Sequence, residues 1–298
     1  MSTLPHGEGE ARPRILRGLR LAVELSVVVL AVEAVGAFFS HSLSLTVDTV
    51  HNIPDIFLFA LSYAALQRTK TGSTAEFTFG RHRLEVFAGI ANGLLVLGTG
   101  VAFGYAALDS LLRAAPFAGA VDPLWLLAAA LPTLALRFVN LNALGRLPGR
   151  IRDLNLRGVM VHLASDVAIT AALLFAGVTL LVRPAYGGAD AVAALAIGAI
   201  LIYECAPLLR GGWEVLTEKT PRGISLEKIT HAALAIPGVT GVHDVHVWAV
   251  CDTLVCMTAH VGVKEMSMRE GMSVVGLLRE SMERDFGIVH ATFEVEAA

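Results

Sequence analysis

Six apolar stretches, each long enough to cross a lipid bilayer, constrain this chain more than any other feature. A spanning helix needs about 20 predominantly apolar residues. Leu16–Phe39, Leu43–Leu66, Val86–Leu111, Leu124–Leu144, Val159–Val182 and Ala189–Leu209 meet that length. Composition agrees. Of 298 residues, 55% are hydrophobic and 16% charged, whereas soluble domains carry about 25% charged residues. Mean hydropathy is +0.64. Disorder is excluded, because it needs low hydrophobicity and high net charge. A disulfide scaffold is excluded too, since the three cysteines are few and odd in number. A net charge of −3 offers nothing to nucleic acid. The expected architecture is an all-α six-helix transmembrane domain over residues 15–212, after a cytoplasmic tail at 1–14. The first stretch reads as a retained helix rather than a signal peptide, being long and containing Glu24 and Glu33.

Cationic loops stay in the cytoplasm. Arg12, Arg14, Arg17 and Arg20 precede the first span. Arg68, Lys70, Arg81 and Arg83 follow the second, and Arg146, Arg150, Arg152 and Arg157 follow the fourth. The alternate loops hold only Arg113 and Arg183. Both termini are therefore expected inside, with the protein in the cell (inner or plasma) membrane.

Residues 213–298 are far more polar and read as a cytoplasmic domain. Leu226–Ile236 predicts a short helix. Gly241–Val250 and Leu254–Val263 alternate as strands around a turn at Asp252. Met268–Phe286 predicts an amphipathic helix and Ile288–Val295 a last strand. The order α-β-β-α-β is that of a small α+β domain. Its size makes it only modestly stable alone, so dimerisation is expected. Cys251 and Cys256 are expected to be reduced thiols.

Ionisable residues at bilayer depth are costly and need a reason. The second span holds Asp48, His51 and Asp55; the fifth holds His162 and Asp166. Both contain H-x-x-x-D, and residues four apart share one helix face. One such pair is commonly a hydrogen bond between helices. Two pairs on facing helices offer two imidazoles and two carboxylates, a four-coordinate shell suited to zinc. No Lys or Arg lies on either span near these groups to neutralise the carboxylates. Arg137 in the fourth span is expected to pair with a carboxylate or to snorkel. Pro54, between His51 and Asp55, is expected to bend its helix.

Taken together, these segments resemble the cation diffusion facilitator family of zinc and related divalent-metal exporters. The resemblance runs through Glu33-Ala-Val-Gly, Ser42-Leu-Ser-Leu-Thr-Val-Asp48-Thr-Val-His51-Asn52-Ile-Pro-Asp55, Phe77-Thr-Phe-Gly80-Arg-His82-Arg83-Leu-Glu85, His162-Leu-Ala-Ser-Asp166, Ala189-Asp190, Val242-His243-Asp244-Val-His246-Val-Trp248 and Thr292-Phe-Glu294-Val-Glu296. It implies a homodimer in the lipid bilayer that exchanges cytoplasmic divalent metal for external protons by alternating access, without a prosthetic group. It also implies a metallochaperone-like last domain.

The implied transport ligands are His51, Asp55, His162 and Asp166. In the last domain the implied ligands are His243, His260 and Glu296, with Glu294 beside them; by their own chemistry Cys251 and Cys256 are candidates to add soft thiolates. Their implied role is metal sensing. On a regular strand His243 and His246 would point to opposite faces. Two departures from the family pattern stand out. The loop Gly145–Arg157 has no histidine, and the loop before the third span offers only His82, with Glu76 and Glu85 nearby.

Imidazole ligands suit Zn, Co, Cd or Ni better than Mg, Ca or Mn. Asp48 is a candidate proton relay. The alternative function is a membrane metal sensor or regulator that does not transport. An intramembrane metalloenzyme is disfavoured, because no H-E-x-x-H pair is present.

Overall fold

A computed structural model describes residues 8–68, 74–113, 120–145, 154–251 and 254–297. Residues 1–7, Lys70, Arg146, Arg150, Arg152 and the turn at Asp252 lie outside the described residues, so the basic-loop reading is described only in part. The chain divides into two compact units, Met1–Thr78 with Ala91–Leu209, and Phe79–Ile90 with Arg210–Ala298.

Six long helices run in chain order: α1 (Glu8–Ser40), α2 (Leu43–Arg68), α3 (Arg83–Arg113), α4 (Pro123–Gly145), α5 (Leu154–Val182) and α6 (Ala189–Leu216). Several extend past the apolar stretches. Hydropathy marks the lipid-compatible length, whereas backbone hydrogen bonding carries a helix on into polar sequence. By length and composition, five of them qualify as membrane spans among the described residues, and α2 is not one of these. The difference from the expected six has a visible source. The first half of α2 carries Asp48, His51, Asn52 and Asp55, all buried.

In the first unit α1 packs on α2 and on α4, and α4 on α5. Leu43, Leu45, Leu126, Ile169, Leu173, Ile197 and Leu201 form its apolar core. Close approach of α1 to α4 depends on Gly36, where a Cβ would collide with that of Ala129. Small residues allow such approach in membrane helix pairs.

The start of α2 is held from α6. Its first N–H groups have no partner within the helix, and buried Asp190 accepts the Leu43 N–H at 2.7 Å and the Ser42 hydroxyl at 2.5 Å. Ser44 donates to the same carboxylate through its hydroxyl and its N–H. Pro123 opens α4, and Asp122 just before it accepts the Leu124 N–H at 2.8 Å.

In the second unit α7 (Leu226–Leu234), β1 (Val239–Cys251), β2 (Leu254–Val263), α8 (Met268–Phe286) and β3 (His290–Ala297) follow the expected α-β-β-α-β order. The sheet order is β1-β2-β3. β1 pairs antiparallel with β2, and β2 pairs parallel with β3. The parallel pair needs a crossover, which α8 supplies. Ile229, Met257, Val261, Leu278 and Met282 fill the core between sheet and helices. A capping box, with Ser267 and Glu270 bonding reciprocally, starts α8, and Gly287 at φ 68° ends it.

Candidate metal sites

The two H-x-x-x-D segments converge. His51 Nε2 lies 3.3 Å from Asp55 Oδ2, and His162 Nε2 lies 3.1 Å from Asp55 Oδ1. Asp166 Oδ1 is 3.9 Å from both imidazole nitrogens. One ligand atom from each of the four residues lies within 4.8 Å of the others. Zn–N and Zn–O bonds of about 2.0–2.2 Å at tetrahedral angles place donors about 3.3–3.6 Å apart, which these separations bracket. His51, Asp55 and Asp166 are buried. The two ring nitrogens of His51, Asp55 Oδ2 and Asp166 Oδ1 are buried without a hydrogen-bond partner. A buried polar atom left in that state is costly. A shared cation would engage one ligand atom from each of the four residues.

Helical periodicity brings each pair onto one face. Tertiary packing brings the faces together. Pro54 lies inside α2 between the two ligand candidates.

Asp48 does not join this group. Arg137 crosses from α4 to meet it, with Nη2 donating to Asp48 Oδ1 at 2.9 Å. The same guanidinium lies 3.3 Å from Glu33, and the Asn52 amide also donates to Glu33. All four residues are buried. Of the two alternatives for Arg137, carboxylate pairing is the one adopted. No Lys or Arg lies near these groups on α2 or α5; the neutralising cation comes from a third helix, and it serves Asp48 and Glu33. Sequence reasoning gave Arg137 a carboxylate as one alternative but named neither the partners nor the network, although four polar residues in apolar spans were its signal. It also missed Glu204 of α6, whose Oε2 is 3.9 Å from His162 Nδ1.

A second cluster lies on the sheet. His243 faces His260 across β1 and β2, and His260 pairs with Glu294 across β2 and β3. Glu296, two residues on, shares the face of Glu294. His260 Nδ1 is 2.7 Å from Glu296 Oε1, and His243 Nε2 is 3.5 Å from Glu296 Oε2. These three residues form a group able to hold a metal ion. The Glu296 carboxylate beside it raises the His260 pKa above the usual imidazole range, and Glu294 and Asp244 push the same way. Reciprocally, His260 holds Glu296 below the usual carboxylate range.

Strict alternation does not survive between the two β1 histidines. The register shifts between His243 and His246, with Asp244 at φ 51°. His246 turns to Asp244 at 2.9 Å and is not in the group of three. Neither Cys251 nor Cys256 is in it either. Both are buried and form no disulfide, and burial pushes the Cys256 pKa up, away from a ready thiolate. Among the described residues, His82 joins no group able to hold a metal.

Comparison with known proteins agrees with this architecture. Residues 19–217 match the family of the cation efflux transmembrane domain, and 221–298 match that of the cation efflux protein cytoplasmic domain. The chain belongs to the cation efflux (cation diffusion facilitator) family and is a multi-pass membrane protein. It is 27% identical to the metal cation efflux system protein CzcD of Cupriavidus metallidurans, over 95% of this chain and 87% of that one. It is 25% identical to the probable proton-coupled zinc antiporter SLC30A3 of Homo sapiens, over 98% and 80%. It is 23% identical to a cadmium, cobalt and zinc/H(+)-K(+) antiporter of Bacillus velezensis, over 90% and 84%. The metal-bound C-terminal domain of the CzcD transporter is 30% identical and covers 24% of this chain and 99% of that one, with a TM-score of 0.23.

Proposed function

We propose that this protein exports Zn²⁺, with Co²⁺, Cd²⁺ and Ni²⁺ as overlapping substrates, from the cytoplasm in exchange for protons. His51, Asp55, His162 and Asp166 hold the ion between α2 and α5, both of which cross the bilayer. The observation that carries this reading is the convergence of those four side chains, three of them buried, with polar atoms of His51, Asp55 and Asp166 left without a hydrogen-bond partner. The names of the relatives, zinc antiporters among them, point the same way.

The chemistry of the cycle follows from the ligands. Imidazoles must be neutral and carboxylates ionised to hold metal, so binding releases protons. Facing the cytoplasm, the site takes the dication. Facing outward, protons compete for the histidines and carboxylates and the ion leaves. Returning protons offset part of the electrical work of export, about 2.3 kcal/mol per charge per 100 mV. Asp48 relays protons at the edge of the site.

Both termini face the cytoplasm. Residues 213–298 form the cytoplasmic domain of a homodimer. His243, His260 and Glu296 sense metal there, and His82 contributes to a weaker loop site. A sensor that does not transport is the second reading, supported by the sheet cluster alone. Flux separates the two. In proteoliposomes with an imposed pH gradient, wild type moves zinc, and His51→Ala, Asp55→Ala and Asp166→Ala each abolish that flux while remaining folded. Wild-type flux in the Asp166 variant removes the basis for the site.

A further inference from the structure

We propose that Arg137 is a positioning residue for the site between α2 and α5, acting as a two-pronged clamp that holds the two ligand pairs in register. This rests on the reading of His51, Asp55, His162 and Asp166 as the ligand set. The need for a clamp is visible in the packing. α1 lies against α2 and α4, and α4 against α5, whereas α2 and α5 approach each other only sparsely. Their four side chains nevertheless meet. The spacing between the helices must be set by something that touches both.

Arg137 touches both at the level of the ligands. Nη1 donates to the backbone oxygen of Asp166 at 2.7 Å and to Thr170 Oγ1 at 2.5 Å, both on α5. Nη2 donates to Asp48 Oδ1 at 2.9 Å and Asn52 Oδ1 at 3.1 Å, both on α2. Asp166 is itself a ligand, so one prong holds the backbone from which its carboxylate projects. Asp48 and Asn52 flank His51 in the chain, so the other prong holds the turn that presents this imidazole. Glu33 on α1 ties the assembly to a fourth helix through Asn52 and the guanidinium.

A planar guanidinium can serve two helices with two separate nitrogens, whereas an ammonium offers one point. The charge does not oppose a neighbouring dication, because it is spent on Asp48 and Glu33. Groups that orient metal ligands commonly change affinity about 10- to 100-fold when removed.

The test uses Co²⁺ with the purified full-length protein in detergent, in a His260→Ala/Glu296→Gln background that silences the sheet cluster. Four-coordinate Co²⁺ absorbs visible light far more strongly than six-coordinate Co²⁺, so the spectrum reports ligand geometry. The parent protein is expected to give the strong band, and Asp166→Asn to remove it. If the parent lacks such a band, the ligand reading itself fails. Given the band, Arg137→Lys keeps the charge but not the fork. It is expected to bind Co²⁺ about 10- to 100-fold more weakly, with a weakened, shifted band, while staying helical and monodisperse. An unchanged affinity and spectrum in Arg137→Lys overturns the clamp. If that variant does not fold, Thr170→Val decides. It removes one prong contact, together with the Thr170 hydroxyl's own bond to the Asp166 backbone oxygen, and no charge; a several-fold weaker, altered band supports the clamp, and a parental titration overturns it.

Discussion

Two clusters in this molecule use the same chemistry, imidazole beside carboxylate, in opposite surroundings. Between α2 and α5 the groups are almost dry, and Arg137, Glu33, Asp48 and Asn52 form a buried ionic layer next to them. On the sheet, His243, His260 and Glu296 stand 60%, 31% and 40% exposed at their side chains. Water can supply there what another helix must supply in the first cluster. The difference teaches where each charge gets its partner. A buried charge needs a dedicated counter-charge and fixed hydrogen bonds. An exposed one keeps its hydration and loses little when a neighbour is removed. The helical cluster therefore offers its groups in one fixed, dry arrangement, whereas the sheet groups stay open to water and to its pH.

The largest expected effect breaks the ionic layer. Arg137→Met strands two buried carboxylates and is expected to cost about 3–5 kcal/mol. Arg284→Met, which removes an exposed pair with Asp285 at 2.9 Å, is expected to leave stability almost unchanged. Thermal unfolding midpoints in detergent, measured side by side, check the contrast. Equal shifts would erase the distinction between dry and wet charge.

A smaller effect is expected at the other end of α2. Asp190→Asn keeps the shape but removes the charge that collects hydrogen bonds from Ser42, Leu43 and Ser44. Bonds to a charged group contribute about 1.5–3 kcal/mol. A loss in that range, with metal binding retained, is expected by the same measurement.

The smallest effect is a pH response confined to the sheet. The raised pKa of His260 means that its stabilising pairing is complete below the ordinary imidazole pKa and fades as pH rises through the folded value. Glu296, with its pKa lowered, contributes above the ordinary carboxylate value and fades as pH falls through its own folded value. The ion pair is thus intact across the window between the two. Metal must displace the His260 proton there, so apparent affinity is expected to weaken toward about tenfold per pH unit as pH falls below the His260 pKa. Zn²⁺ titration of the full-length protein against pH in an Asp166→Asn background, which removes the pH response of the helical site, with and without His260→Gln, reads this. An identical pH slope in both would detach the cluster from His260.

Much of the candidate transport site was legible in the sequence, because a helix converts a spacing of four residues into a shared face. His51 with Asp55, and His162 with Asp166, needed nothing else. The spans showed through apolar length, and β2 and α8 through periodicity, with Leu254–Val263 and Met268–Phe286 the same in both readings. Other features were not legible. The β1 bulge at Asp244 depends on how two strands register. The partner of Arg137 lies 89 positions away in the chain, and that of Ser42 lies 148 away. No local pattern encodes such pairings.

Periodicity and polarity by themselves thus determined which segments become helices or strands and which side chains share a face, since both follow from the backbone repeat. The tertiary structure alone decided which faces meet, which carboxylates receive a guanidinium and which keep only imidazoles for company. The reason is that burial and ion pairing are properties of distance in space, and the cost of dry charge can be settled only where the helices come together.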